Sequence, residues 1–355
     1  MSADHGSIVT VTGRIDPEDL GATLPHEHLF TDGSYRYEPP DSPVDQRKAT
    51  QPISLETLWW VRNNAMRHRG NLRLDSVSEA IEEVTRFRDA GGDAIVDVTP
   101  KNYGNDPERV RHVSRETGVR IIQGTAFYNE ENSVLPDRLE TASIDDIADE
   151  FVSDVREGID NTDVRAGIIG EIALSGDIYD IEEKVLRSGA RAAVRTGAPV
   201  SVHPARDPAN PYTHEILDIC EEEGLDAERV ILCHRDRSSW YTDLDDQREV
   251  AERGAFVEYD LFGDEHLHYR ESTGDVSPTD VERVERLAQL IEDGYGSKLL
   301  ISQDVFLKIH RVAYGGPGYG HILENVLPIF HELGADDDQI HELLVDNPRR
   351  ILTFQ

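Results

Sequence analysis

Short apolar runs recur along the chain, separated by longer stretches whose apolar residues return every three or four positions. The short runs are "ATLPHEH" (22–28), "DAIVDVT" (93–99), "VRIIQGTAFY" (119–128), "AGIIGEIA" (166–173), "PVSVHP" (199–204), "RVILCHRD" (229–236), "AFVEYDLF" (255–262) and "KLLISQD" (298–304). Their β-branched, nearly unbroken apolar character predicts parallel strands buried on both faces. The stretches between them predict amphipathic helices. Val77, Ile81, Val84 and Phe87 share one face, Ile144, Ile147, Phe151 and Val155 a second, and Val281, Val284, Leu287 and Ile291 a third. Glycine precedes several strands, as in "DAGGDAIV" and "ERGAFVEY", where it suits a helix C-terminus.

Eight strand–helix alternations predict an α/β fold, a (β/α)8 TIM barrel, as a single domain over residues 1–355. A doubly wound open sheet is the alternative. No G-x-G-x-x-G follows any strand, which weakens a dinucleotide site. The stretch "SIVTVTGRIDPEDLGATL" predicts an N-terminal β-hairpin capping the barrel bottom, and residues 31–75, rich in Pro, Asp and Arg, a long excursion at the entrance.

Charge changes the picture of partners more than that of the fold. The net charge is −34, spread over the whole chain, and only Lys48, Lys101, Lys184, Lys298 and Lys308 are lysines. Such a surface repels nucleic acid and anionic lipid, so neither is an expected partner. It suits a high-salt cytoplasm, where screening is strong; attraction of a cationic substrate is the competing explanation. No apolar run reaches the ~18 residues of a transmembrane helix. The N-terminus shows no secretory pattern, and two cysteines make no disulfide framework, so a cytoplasmic location is expected. Cys233, next to His234, is expected to point away from the barrel interior.

In a (β/α)8 barrel the C-terminal strand ends converge on one site. His26 and His28 end the first strand at i, i+2 spacing and so share its inward face. Glu27 between them points the other way. The fourth strand carries Glu171, the fifth ends in His203, the sixth in His234 and the eighth in Asp304. These six ligand-type groups suit Zn²⁺ or a related divalent ion. Asp304 also suits a helix N-cap.

"GATLPHEHL", "GIIGEIA", "VHPARD", "CHRDR", "VEYDLFG", "YGGPGYGHILENVLP" and "DNPRRILTF" follow in this order nearly end to end. In them the chain resembles the phosphotriesterase-related branch of the amidohydrolase superfamily. The resemblance implies a binuclear centre of two divalent ions, Zn²⁺ foremost, with Mn²⁺ or Co²⁺ as alternatives. It implies that His26, His28 and Asp304 bind the more buried ion, that His203 and His234 bind the other, and that Glu171 bridges both where many members carry a carbamylated lysine. A hydroxide between the ions would attack a small ester, lactone or N-acyl amide, with Asp304 taking its proton. A phosphotriester hydrolase and a mononuclear deaminase are the rival activities, and a non-catalytic binding protein on an inherited barrel is the rival class. A homodimer is expected at family level only.

Substrate contacts are less legible. Arg206, Arg237, Lys308 and Arg311 follow the ligand-bearing strands and suit an anionic small-molecule substrate; pairing with neighbouring aspartates is the alternative. Tyr128 looks like the family's tyrosine beside the hydroxide, or packs at the rim. Tyr259 and Phe262 are placed on the leaving-group side, and Trp59, Trp60 and Trp240 either in a lid or in packing beneath loops.

Overall fold

The computed structural model describes residues 4–129, 135–175, 178–204, 212–237, 244–265 and 277–355. Every predicted strand is present, trimmed at its ends. Barrel strands one to eight are Thr23–Glu27, Ala94–Asp97, Arg120–Thr125, Ile168–Ala173, Val200–His203, Val230–Leu232, Phe256–Tyr259 and Leu299–Ile301. They form one parallel sheet in chain order, with helices between successive strands, a (β/α)8 barrel.

Side chains help to close the seam between strands one and eight. Ser302 Oγ lies 2.8 Å from the His26 carbonyl and accepts from the His26 N–H at 3.1 Å. The buried Glu27 carboxylate takes the Ser302 hydroxyl at 2.8 Å and the N–H groups of Gln303 and Val305, each at 2.9 Å. Glu27 therefore grips the backbone on both sides of Asp304.

The core lies in two shells. Inside the barrel, Val96, Ile122, Ile168, Ile231, Phe256 and Leu300 fill the lower layers. Between sheet and helices, Val84, Phe87, Phe151, Leu186 and Leu287 are fully buried. Each such side chain contributes about 1.5–3 kcal/mol by leaving water. Gly170 allows strands four and five to close up: a Cβ there would meet Ser201 Cβ at 2.6 Å.

The helices Val77–Asp89 and Ile144–Arg156 bury the predicted faces, and a Ser143–Asp146 capping box starts the second. The helix Asp280–Glu292 is rotated from expectation. Val281 is 46% exposed, whereas Arg283, Val284, Leu287 and Leu290 are buried. The cause is Arg283, whose guanidinium reaches Asp236 at 2.7 Å and Asp280 at 2.9 Å, so this polar anchor takes part of the inward face.

The hairpin Ile8–Thr10 and Gly13–Ile15 sits at the barrel bottom, where the Val11 N–H donates to the Ile121 carbonyl at 2.8 Å. The excursion after strand one returns through the antiparallel pair Thr31–Asp32 and Arg73–Leu74. It packs Val61 and Leu72 against Phe306, Leu307 and Ile309 from the loop after strand eight, on the face where the strands end.

Candidate metal centre

The strand ends bring together all six predicted ligand-type residues, and all are buried. Glu171 stands at the middle. Its carboxylate lies 2.9 Å from His203 Nδ1, 3.5 Å from His28 Nε2, and 3.7 Å from both His26 Nε2 and His234 Nε2. Asp304 Oδ1 is 3.1 Å from His28 Nε2 and 3.9 Å from His26 Nε2. Three overlapping groups of donor atoms, each within 4.8 Å of one another, cover these six residues: His26/His28/Glu171, His26/His234/Asp304 and Glu171/His203/His234. The fit to a divalent ion is good in chemistry as well as spacing. His26 Nε2 is a buried ring nitrogen with no hydrogen-bond partner, aimed at two carboxylates.

Two of the six sit on strained backbone. His234 has φ +55° and Asp304 φ +48°, a region uncommon for residues other than glycine and found where surroundings over-determine the conformation. Burial would raise both carboxyls. Hydrogen bonds from His203 and His234 nevertheless hold Glu171 well below the usual range, and His28, with the charge of His26, lowers Asp304. Burial, with the charge of Arg237, holds His234 well below the usual imidazole range.

Outer partners fix the rings. His28 Nδ1 lies 2.9 Å from Thr99 Oγ1. His26 Nδ1 donates to Glu258 at 3.2 Å, and His234 Nδ1 to Asp260 at 2.7 Å. Asp260, expected only as a partner for the arginines, and Glu258, given no role in the sequence, are both picked out by the i, i+2 rule on strand seven as Phe256, Glu258 and Asp260.

The same alternation corrects Tyr259. It faces outward, fully buried, with its hydroxyl donating to Gln247 at 2.7 Å, and it does not line the cavity over the centre. Phe262 is likewise core. Lys308 turns away to Asp75, at 3.6 Å, and Arg311 is buried against the Leu29 carbonyl at 2.7 Å. Cys233 points into the barrel, with Sγ 3.0 Å from Ser201 Oγ. The turn at His234 breaks the strand alternation, so residues 233 and 234 both face inward. Its thiol is pushed well above the usual range by burial. Trp59 is 74% exposed and Trp60 packs in the excursion, neither over the centre. Arg206 and Trp240 lie outside the described residues.

The cavity is lined by His28, Tyr128, Glu171, His203, His234, Arg237 and Asp304. Arg36, Tyr103 and Phe306 complete it. Tyr103 stacks on Tyr128 with centroids 5.1 Å apart, and the Arg36 guanidinium lies 5.8 Å from the Phe306 ring centre. Arg36 and Tyr103 each end a single 3₁₀ turn and Phe306 lies in a loop, segments too short for a spacing rule.

A model of the phosphotriesterase family matches residues 6–352. The chain belongs to the phosphotriesterase family. It is a metal-dependent hydrolase of that family. It is 37% identical, over the full length of both chains, to the N-acetyltaurine hydrolase of Danio rerio. Among solved structures it is similar to a resiniferatoxin-binding protein from Rhodobacter sphaeroides, with TM-score 0.93, 39% identity, and 99% and 97% of the two chains covered. It is also similar to a lactonase from Listeria monocytogenes, with TM-score 0.78, 26% identity, and 98% and 99% covered. In this phosphotriesterase-family chain the strand-four position is glutamate, so a carboxylate supplied by the sequence stands where the histidines meet.

Proposed function

We propose that this phosphotriesterase-family hydrolase uses two divalent ions, Zn²⁺ foremost, to cleave a small N-acyl amide whose amine portion is anionic. The observation that carries the reading is Glu171, one carboxylate within 3.7 Å of nitrogens from four histidines. That arrangement suits a bridge between two ions, with His26, His28 and Asp304 on one and His203 and His234 on the other. The chemistry such ions supply when bound is a water of lowered pKa and polarisation of the scissile carbonyl.

The chain's own groups do the rest. Asp304, kept ionised by His28 and His26, accepts the proton of the attacking water at its carboxylate and delivers it to the leaving nitrogen. Tyr128 lines the cavity, where its hydroxyl would meet the substrate's carbonyl oxygen, and the Tyr103–Tyr128 stack and Phe306 would give the acyl group an apolar wall. Arg237 and Arg36 line the same cavity and are the groups that would hold a sulfonate or carboxylate. The similarity to N-acetyltaurine hydrolases supports an amide with such an anionic end. The similarity to a lactonase supports a lactone as the second reading.

The test is a panel of N-acetyltaurine, N-acetylated amino acids, simple lactones and an aryl phosphotriester, assayed with added Zn²⁺, Mn²⁺ or Co²⁺ at high salt. The amides should turn over with the largest kcat/KM. Preference for the phosphotriester, or no turnover on the panel, would defeat the reading.

A further inference from the structure

We propose that Asp260 couples the two metal positions by holding one histidine of each, so that its loss weakens both ions together. The inference rests on the two-ion reading above. Asp260 follows strand seven, and its side chain is fully buried. Its Oδ1 accepts from His234 Nδ1 at 2.7 Å, and its Oδ2 from the backbone N–H of the same residue at 2.9 Å. The second bond fastens a residue held at φ +55°, a conformation that persists only where its surroundings impose it. Oδ2 also lies 3.4 Å from His26 Nδ1, whose other acidic neighbour is Glu258 at 3.2 Å.

A carboxylate on Nδ1 keeps the proton there and leaves the Nε2 lone pair for the opposite side of the ring. His26 Nε2 faces Glu171 and Asp304, and His234 Nε2 faces His203 and Glu171. Asp260 thus contacts Nδ1 of a histidine assigned to each ion, by a hydrogen bond at His234 and by charge at His26, where Glu258 takes the hydrogen bond. Asp260 is itself held from behind. Asp236 accepts the N–H groups of Asp260 at 3.3 Å and Leu261 at 3.1 Å, and Arg283 pins Asp236 at 2.7 Å. The structure therefore assigns Asp260 as a positioning residue.

His26, Cys233, Glu258 and Asp260 also group closely enough to suggest an ion of their own. Cys233, Glu258 and Asp260 do not line the cavity, and Cys233 is bonded to Ser201 at 3.0 Å. Their placement suits support beneath the centre.

The experiment is calorimetric titration of Zn²⁺ into the chelated full-length protein, as wild type, Asp260→Asn and Glu258→Gln, with the metal-free melting temperature of each as a folding control. Asp260→Asn should weaken both binding steps by ~10–100-fold, and Glu258→Gln only one. Histidine-selective ¹⁵N NMR of the zinc-loaded wild type supplies a readout that needs no variant: His26 and His234 should both carry their proton on Nδ1. An Nδ1-metallated ring at either position overturns the inference, as does an Asp260→Asn protein with either step unchanged. Three ions in the wild type would make the lower cluster a site and also overturn it. A wild type that binds fewer than two ions removes the two-ion reading, and the inference with it.

Discussion

At the scale of single residues, six ligand-type groups were readable where a polar side chain ends or interrupts an apolar run. His26, His28, Glu171, His203, His234 and Asp304 all stand out in this way, and the barrel gathers them around one carboxylate. Tyr259 was misplaced because the pleat was followed on strand one and not on strand seven. Arg36 and Tyr103 were invisible because each ends a single 3₁₀ turn, too short to show a period. Two predictions belong here. Asp304→Asn should lower kcat by ~10²–10⁴-fold on the best substrate, the usual contribution of a positioned proton acceptor. Single-turnover assays on a metal-loaded sample whose ion content matches the wild type check this, and an unchanged kcat would remove Asp304 from proton transfer. Arg36→Ala and Arg237→Ala should each raise KM for an anionic amide by ~10–100-fold and leave KM for a neutral lactone nearly unchanged, as loss of a charge-assisted hydrogen bond requires. Equal effects on both substrates would show that the arginines shape the pocket without recognising charge.

At the scale of elements, the eight strands followed from their apolar character, and two of the three helix faces from their period. The exception, Asp280–Glu292, shows why periodicity alone falls short. Arg283 scores as polar yet is fully buried, because Asp236 and Asp280 compensate it. Such a pair is costly to break from one side. Asp280→Asn leaves Asp236 on Arg283 and should therefore destabilise the fold by about 1.5–3 kcal/mol near neutral pH, measured by denaturant unfolding. The pH dependence has a definite sign. Although burial opposes it, hydrogen bonding from His321 and the charge of Arg283 lower the Asp280 pKa in the folded state, below the ordinary value of 3.8. Its contribution is thus complete above that value and is lost as pH falls through the folded-state pKa. The gap between wild type and variant should narrow in acid. A gap that widens there would contradict the assignment.

For the molecule as a whole, the barrel was legible because eight alternations admit few architectures, and the excursion over 31–75 because it interrupts them. Its contribution of Arg36 to the cavity needed coordinates. The charge of −34 bears on the medium the chain suits. Self-repulsion on that scale should make the melting temperature rise between ~0.1 M and ~2 M KCl as the Debye length falls from about 10 Å to below 3 Å. A melting temperature that falls with salt would contradict the high-salt reading. The central claim, hydrolysis that depends on two ions at the strand ends, is tested most directly by chelating the full-length protein and restoring Zn²⁺ in measured equivalents while following N-acetyltaurine hydrolysis. Activity should vanish on chelation and return to its maximum at two equivalents per chain. Full turnover by the chelated protein, or a maximum reached at one equivalent, would contradict the account.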